Sequence, residues 1–290
     1  MSLLTPEELR EIRRLHIEAG RSVDAIFAGE WRSAVRGRGM EFEEVRSYQP
    51  GDDVRHIDWN VTARTGEPFV KVFREERQNT VVLAVDVSGS TRTGSGGRDG
   101  RTDRRLQLSR IAGGLAYASF RNRDRVGLVT FSDRIERYLS PRRSRAHTWG
   151  VIQSVFEGAA TSRRTDVGEA LRFLMTTQRR RCTLVLVSDF LDERAWDMTL
   201  AALRRRHAVH AVLVTDPLDE ALPRLGLTHV IDAETGQARL VDAAALRGRW
   251  SAAARLERLQ RTGARAFAIS TADDPFDALR RQYAQKVRAR

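Results

Sequence analysis

Three short segments of this 290-residue chain carry oxygen donors of the kind that bind hard cations. The first is Asp86-Val-Ser88-Gly-Ser90, a carboxylate and two hydroxyls at alternate positions. The others are Thr165-Asp166 and Ser188-Asp189. Alternate oxygens on a tight loop can converge on one point, and Mg2+ accepts near-octahedral oxygen coordination with hydroxyls and waters among its ligands. Asp86 would bring charge and Ser88 and Ser90 neutral oxygens. Thr165 could add a fourth oxygen, and Asp189 could hold a metal-bound water as an outer carboxylate. With so few charges the ion stays electrophilic, so a carboxylate from outside could complete its shell. The donor set leans towards Mg2+ and leaves Mn2+ and Ca2+ open.

These segments need elements to position them. Val81-Val-Leu-Ala-Val85 is a continuous β-branched and apolar run, which predicts a strand buried on both faces. Leu184-Val-Leu-Val187 predicts a second, and Arg125–Phe131 and Val209–Val214 two more, with Ile135–Leu139 as an edge strand. Helices are expected at about 103–121, 145–156, 167–177, from Asp192 as a cap, at 243–260 and from Pro275. A hairpin is expected around 228–231 and 238–241, and a strand at 266–269. Strand–helix alternation of this kind predicts an α/β fold, a mainly parallel doubly wound sheet flanked by helices. Ligands in such sheets bind beyond the carboxyl ends of the strands, where the loops after Val85 and Val187 begin. Upstream, Thr5-Pro6 and Glu8 mark a helix start running to about Phe27, and Gly29–Asn79 reads as irregular β structure and turns. The expected division is therefore 1–79, a helix with a charged β segment, and 80–290, the α/β domain.

The three oxygen-bearing segments, in this order and on these elements, resemble the metal-ion-dependent adhesion site of von Willebrand factor A domains. A block upstream sharpens the likeness: Gly37-Arg-Gly39-Met-Glu-Phe42, Arg46-Ser-Tyr48-Gln-Pro50-Gly51-Asp52-Asp53-Val-Arg55-His-Ile57-Asp58-Trp59, Thr62-Ala-Arg64, Val70-Lys71 and Glu75. It resembles the hallmark of the domain-of-unknown-function 58 family, whose members carry a von Willebrand A-like domain directly after it. The resemblance implies metal-dependent binding to a protein that supplies an acidic residue, and a partnership with a MoxR-type AAA+ ATPase or its client. In the block itself, Asp52, Asp53, Arg55 and Asp58 stand beside Tyr48 and Trp59. They form either a Trp-anchored packing platform or a docking surface, with these six as the candidate partner-binding residues.

Composition bounds the alternatives. Hydrophobic residues at 41% and charged residues at 30% fit a globular chain with a sizeable core. The acidic start Met-Ser-Leu-Leu-Thr-Pro-Glu-Glu is not a signal-peptide pattern, and no uncharged apolar stretch reaches the ~18 residues of a membrane span. A cytoplasmic protein is expected. The single cysteine, Cys182, heads an apolar run and reads as a small core residue. A net charge of +12 would suit nucleic acid, yet no helix-turn-helix, zinc-finger or RNA-recognition signature accompanies it. The glycine-rich stretch Gly94–Gly100 lacks the Lys-Ser/Thr of a phosphate-binding loop, and the six histidines are dispersed. A hydrolase built on the same oxygens would need a general base, for which Asp166 and Asp189 are the candidates. The expectation is a binding protein rather than an enzyme.

Overall fold

A computed structural model describes residues 40–75, 79–96, 103–158, 160–220, 226–242 and 251–284. The expected helix at 5–27 lies outside them, as do residues 243–250 of a later one. Contacts group Val35–Gln78 as one compact unit, and the described residues from Asn79 onward belong to another.

The smaller unit is more regular than its composition predicts. Strands β1 (Met40–Ser47) and β2 (Phe69–Glu75) pair antiparallel, with one irregularity between Phe42 and Glu44. Between them lie a 3-10 turn (Val54–His56) and helix α1 (Trp59–Thr65). The block's aspartates build these turns. Asp53 accepts from Arg55 N at 3.0 Å, and Asp58 caps α1 through Asn60 N and Val61 N. Asp52 takes both terminal nitrogens of Arg46 at 2.7 Å, a forked pair that holds its carboxyl below the ordinary range. Gly66, at φ +77, ends the helix in the left-handed conformation.

In the larger unit six strands form one sheet: β3 (Thr80–Asp86), β4 (Arg125–Phe131), β5 (Ile135–Arg142), β6 (Thr183–Ser188), β7 (Ala208–Thr215) and β10 (Arg265–Ser270). Their spatial order is β10-β7-β6-β3-β4-β5, and every pair is parallel except β4 with β5. Along β3, Val81, Leu83 and Val85 face one apolar layer and Val82 and Ala84 the other. The first layer is covered by α2 (Arg104–Arg121), α3 (Arg145–Glu157) and α8 (Pro275–Ala284). The second is covered by α4 (Val167–Thr177), α5 (Asp197–Arg206) and α7 (Ala252–Arg261). Each fully buried valine or leucine contributes about 1.5–3 kcal/mol, so this central strand anchors both layers. This is the expected mainly parallel, doubly wound sheet with helices on both faces. A single turn, α6 (Pro217–Glu220), follows β7, and the expected hairpin is present as β8 (Leu227–Ile231) and β9 (Ala238–Asp242).

One expected cap is corrected. Trp196, not Asp192, precedes the first turn of α5; the Asp192 carboxylate accepts instead from Val167 N at 2.9 Å and Arg194 N at 3.0 Å. Asp192 thus ties the start of α4 to the loop after β6. Among the described residues no helix is long and apolar enough to cross a membrane.

Cys182 is buried beside β6, its Sγ 3.3 Å from His207 Nδ1. Burial pushes the thiol up to about 12 and lowers the pKa of His207, so the imidazole stays neutral and does not activate it. The thiol should therefore resist 5,5'-dithiobis(2-nitrobenzoate) in native buffer and react fully in guanidinium chloride. Rapid native labelling would contradict its place in the core.

Candidate metal centre

The chain proceeds from β3 to β4 and β5 on one side, then returns to lay β6 on the other side of β3. Open α/β sheets bind ligands at such a reversal, in the crevice beyond the carboxyl ends of the strands, here β3 and β6. Asp86 ends β3 and Asp189 follows β6 directly.

All five sequence-predicted metal-site residues are buried there. Asp86 is 2% exposed, Ser88 and Asp189 are 0%, Thr165 is 4% and Ser90 is 7%. Asp86 Oδ1 accepts from Ser88 N at 2.9 Å, folding the loop back on its own carboxylate, and Oδ2 accepts from Ser188 Oγ at 2.6 Å. The Ser88 and Ser90 hydroxyl oxygens lie 3.1 Å apart, and Thr91 Oγ1 holds the loop by donating to Ser88 O at 2.7 Å. The segment carrying Thr165 is drawn in because Gly89 N donates to Arg163 O at 2.7 Å. Asp166 turns away: it caps α4 through Glu169 N and pairs with Arg194 at 3.0 Å.

Past β6 the backbone is forced. Phe190 adopts φ +48, a left-handed conformation that costs a non-glycine residue about 1–2 kcal/mol. Its side chain is buried against Trp196, with ring centroids 5.8 Å apart, and its N–H donates to Ser188 Oγ at 2.9 Å. These contacts offset the strain and aim Asp189 inward.

Asp189 and Asp86 differ in their charge partners. Asp189 Oδ2 lies 3.4 Å from Nη1 of Arg104, a guanidinium only 2% exposed. Arg104 Nη2 also donates to Asp219 Oδ1 at 2.6 Å, and Arg255 binds both Asp219 Oδ2 at 2.8 Å and the Asp189 carbonyl at 2.6 Å. Asp86 takes its hydrogen bonds from the Ser88 amide and from the Ser88 and Ser188 hydroxyls, and no basic side chain pairs with it among the described residues. Burial first, and then the charge of Asp189, push its carboxyl up to about 7 despite the hydrogen bonds from Ser188 and Ser88. A buried carboxylate lacking a counter-charge, ringed by hydroxyl oxygens, fits a divalent cation of the hard, oxygen-seeking kind.

Comparison with known proteins agrees with the fold. Residues 44–260 match the family described as "Protein of unknown function DUF58". The chain belongs to the DUF58 family. Uncharacterized proteins of Mycobacterium bovis and Mycobacterium tuberculosis are each 31% identical to this DUF58 chain over 236 residues, 81% of it and 73% of the relative. The conserved hypothetical protein BatB from Bacteroides thetaiotaomicron has a similar fold, with a TM-score of 0.50 at 15% identity, over 72% of this chain and 98% of that one. An aerotolerance-related membrane protein from Bacteroides fragilis gives the same TM-score and identity, over 72% and 99%.

Sequence reasoning passed over three groups of this DUF58 site: Arg104, the Asp219–Arg255 pair and Glu234, whose Oε1 accepts from Thr165 Oγ1 at 2.6 Å. Arg104 and Arg255 sit on helices among many other arginines, and no spacing rule sets buried ones apart. Glu234 occupies a polar turn whose composition signals only a hairpin. Of the six candidate partner-binding residues, Asp52, Asp53 and Asp58 are engaged in the turn contacts described above. Tyr48 is half-buried, while Arg55 and Trp59 are exposed, Trp59 at 70%. A buried tryptophan anchor, one of the two readings of that block, is not what Trp59 provides in its unit.

Proposed function

We propose that this chain is a protein-interaction module in which a divalent cation bridges to an acidic side chain of a partner. Asp86, Ser88, Ser90 and Thr165 would hold the ion, Asp189 would orient a bound water, and Mg2+ suits the donors best. The carrying observation is Asp86 itself, a carboxylate buried without a basic partner beside three buried hydroxyls. Three neutral oxygens and one bound carboxylate leave the ion charge to share, which an incoming Asp or Glu would satisfy. The bound cation supplies that electrostatic attraction; the chain supplies position and the exclusion of competing water.

The reading is non-enzymatic, and the environment of the two carboxylates that could act as bases supports it. Asp166 is occupied by a helix cap and an arginine pair, and Asp189 by Arg104. For the partner, the family resemblance points to a MoxR-type AAA+ ATPase or its client, with Arg55 and Trp59 as an exposed second contact.

Purified protein should retain such a partner from native lysate with Mg2+ and release it in EDTA, and Asp86→Ala should retain none. Identical retention in all three arms would sink the metal bridge and move attention to Trp59. Turnover of phosphate esters that disappears in Asp86→Ala would instead establish a hydrolase.

A further inference from the structure

The β8–β9 hairpin sets one side of its tip on the Asp86–Ser90 loop: Ala233 and Glu234 are half-buried, while Asp232, Thr235 and Gly236 stay exposed. Its turn is built by Asp232, whose Oδ1 accepts from Glu234 N and Thr235 N at 2.9 Å each, and Gly236 closes it at φ +72. Two contacts seat the tip. The carbonyl oxygen of Ala233 lies so close to Gly89 that any Cβ there would collide with it, so the hairpin backbone rests directly on the Asp86–Ser90 loop. Beside it, Thr165 Oγ1 donates to Glu234 Oε1 at 2.6 Å, a short charge-assisted bond to a side chain that is only partly exposed. Glu234 Oε2 makes no hydrogen bond among the described residues.

This geometry resolves into a coordination role. A threonine hydroxyl that gives its lone pair to a cation must direct its proton away from the ion, and here the proton goes to Glu234. The same carboxylate has a second oxygen that no hydrogen bond among the described residues engages. We propose that Glu234 is the chain's own ligand to the cation, standing where the function proposed above places the partner's acid. The proposal rests on that reading of the site. It makes the hairpin a self-supplied cap: Glu234 strengthens cation binding in the isolated protein, and a partner's carboxylate must displace it to dock. The turn is held by Asp232, so replacing Glu234 leaves the hairpin's own hydrogen bonds intact.

Mn2+ serves as the probe, with the full chain, Glu234→Ala, Glu234→Gln and Asp86→Ala compared. Calorimetry reads affinity, and water-proton relaxation per bound Mn2+ reads how many coordination positions hold water. Loss of a charged ligand should weaken Mn2+ by about tenfold or more in both Glu234 variants and raise the relaxation per bound ion as water takes the vacated position. Acetate should then compete for that position more effectively than in the parent chain. Asp86-dependent Mn2+ binding that is unchanged in affinity and relaxation by Glu234→Ala would overturn the role of Glu234 and leave the cation site standing. A parent chain that does not bind Mn2+ would overturn both.

Discussion

Arg104→Ala is expected to destabilise the protein by about 3–5 kcal/mol, the range for removing one partner of a buried ion pair. Arg104 opens α2 with its guanidinium almost wholly buried, reaching Asp189 at 3.4 Å and Asp219 at 2.6 Å. Burial opposes its charge, but Asp189, Asp219 and Asp216 outweigh that and raise its pKa. Alanine would leave Asp189 without its guanidinium and Asp219 with Arg255 and the Asp216 amide. Lysine keeps the charge but cannot span both carboxylates as a planar fork can, so Arg104→Lys should fall between. Urea unfolding midpoints at neutral pH measure the difference. A loss for Arg104→Ala under about 1 kcal/mol, the scale of exposed pairs, would mean that water reaches the network.

Asp86→Asn should have opposite consequences with and without metal. In the metal-free protein the raised pKa of Asp86 means that the fold holds its proton more tightly than the unfolded chain does. Its contribution to stability is therefore full below the ordinary carboxylate pKa of about 4 and is lost as pH rises through about 7. Asparagine is neutral throughout and still offers an oxygen to Ser88 N. The metal-free variant should thus match or exceed the parent in thermal midpoint at pH 8 and lose the part of the pH dependence that Asp86 contributes. With Mg2+ at a hundred times its dissociation constant the parent gains about 2.7 kcal/mol, and the variant, lacking the charged ligand, gains none. Equal Mg2+ shifts in the two proteins would remove Asp86 from the site.

Which features could be read from sequence depended on how local their causes are. Val81–Val85 announces a central strand because burial on both faces demands an unbroken apolar run, and β3 spans Thr80–Asp86. Helix α4 occupies the expected Val167–Thr177, since its cap and its apolar stripe are both written within a few residues. Helix α1 was hidden because its signals, an aspartate cap followed by Trp59, sit in a charge-rich stretch that reads as turn. Asp192 misleads for the opposite reason. It has the type and place of a cap, but its carboxylate goes to Val167 N, a partner 25 residues away. At the candidate site the five oxygen-bearing residues are named by local spacing, whereas Arg104 and Glu234 reach them across 85 and 69 residues, distances at which sequence carries no pattern.

The bond from Ser188 to Asp86 spans 102 residues, and it lies where β6 enters the sheet between β3 and β7. During synthesis β3 can pair with β4 long before β6 emerges from the ribosome, because local ladders close at lower entropic cost than distant ones. Until that insertion, one edge of β3 stays open and the crevice has a single wall. A nascent or truncated chain lacking β6 has Asp86 and both serines but neither Ser188 nor Asp189. If the site binds a cation as proposed, that affinity would double as a completeness check, one that a half-finished product fails even with its loop of oxygens already folded.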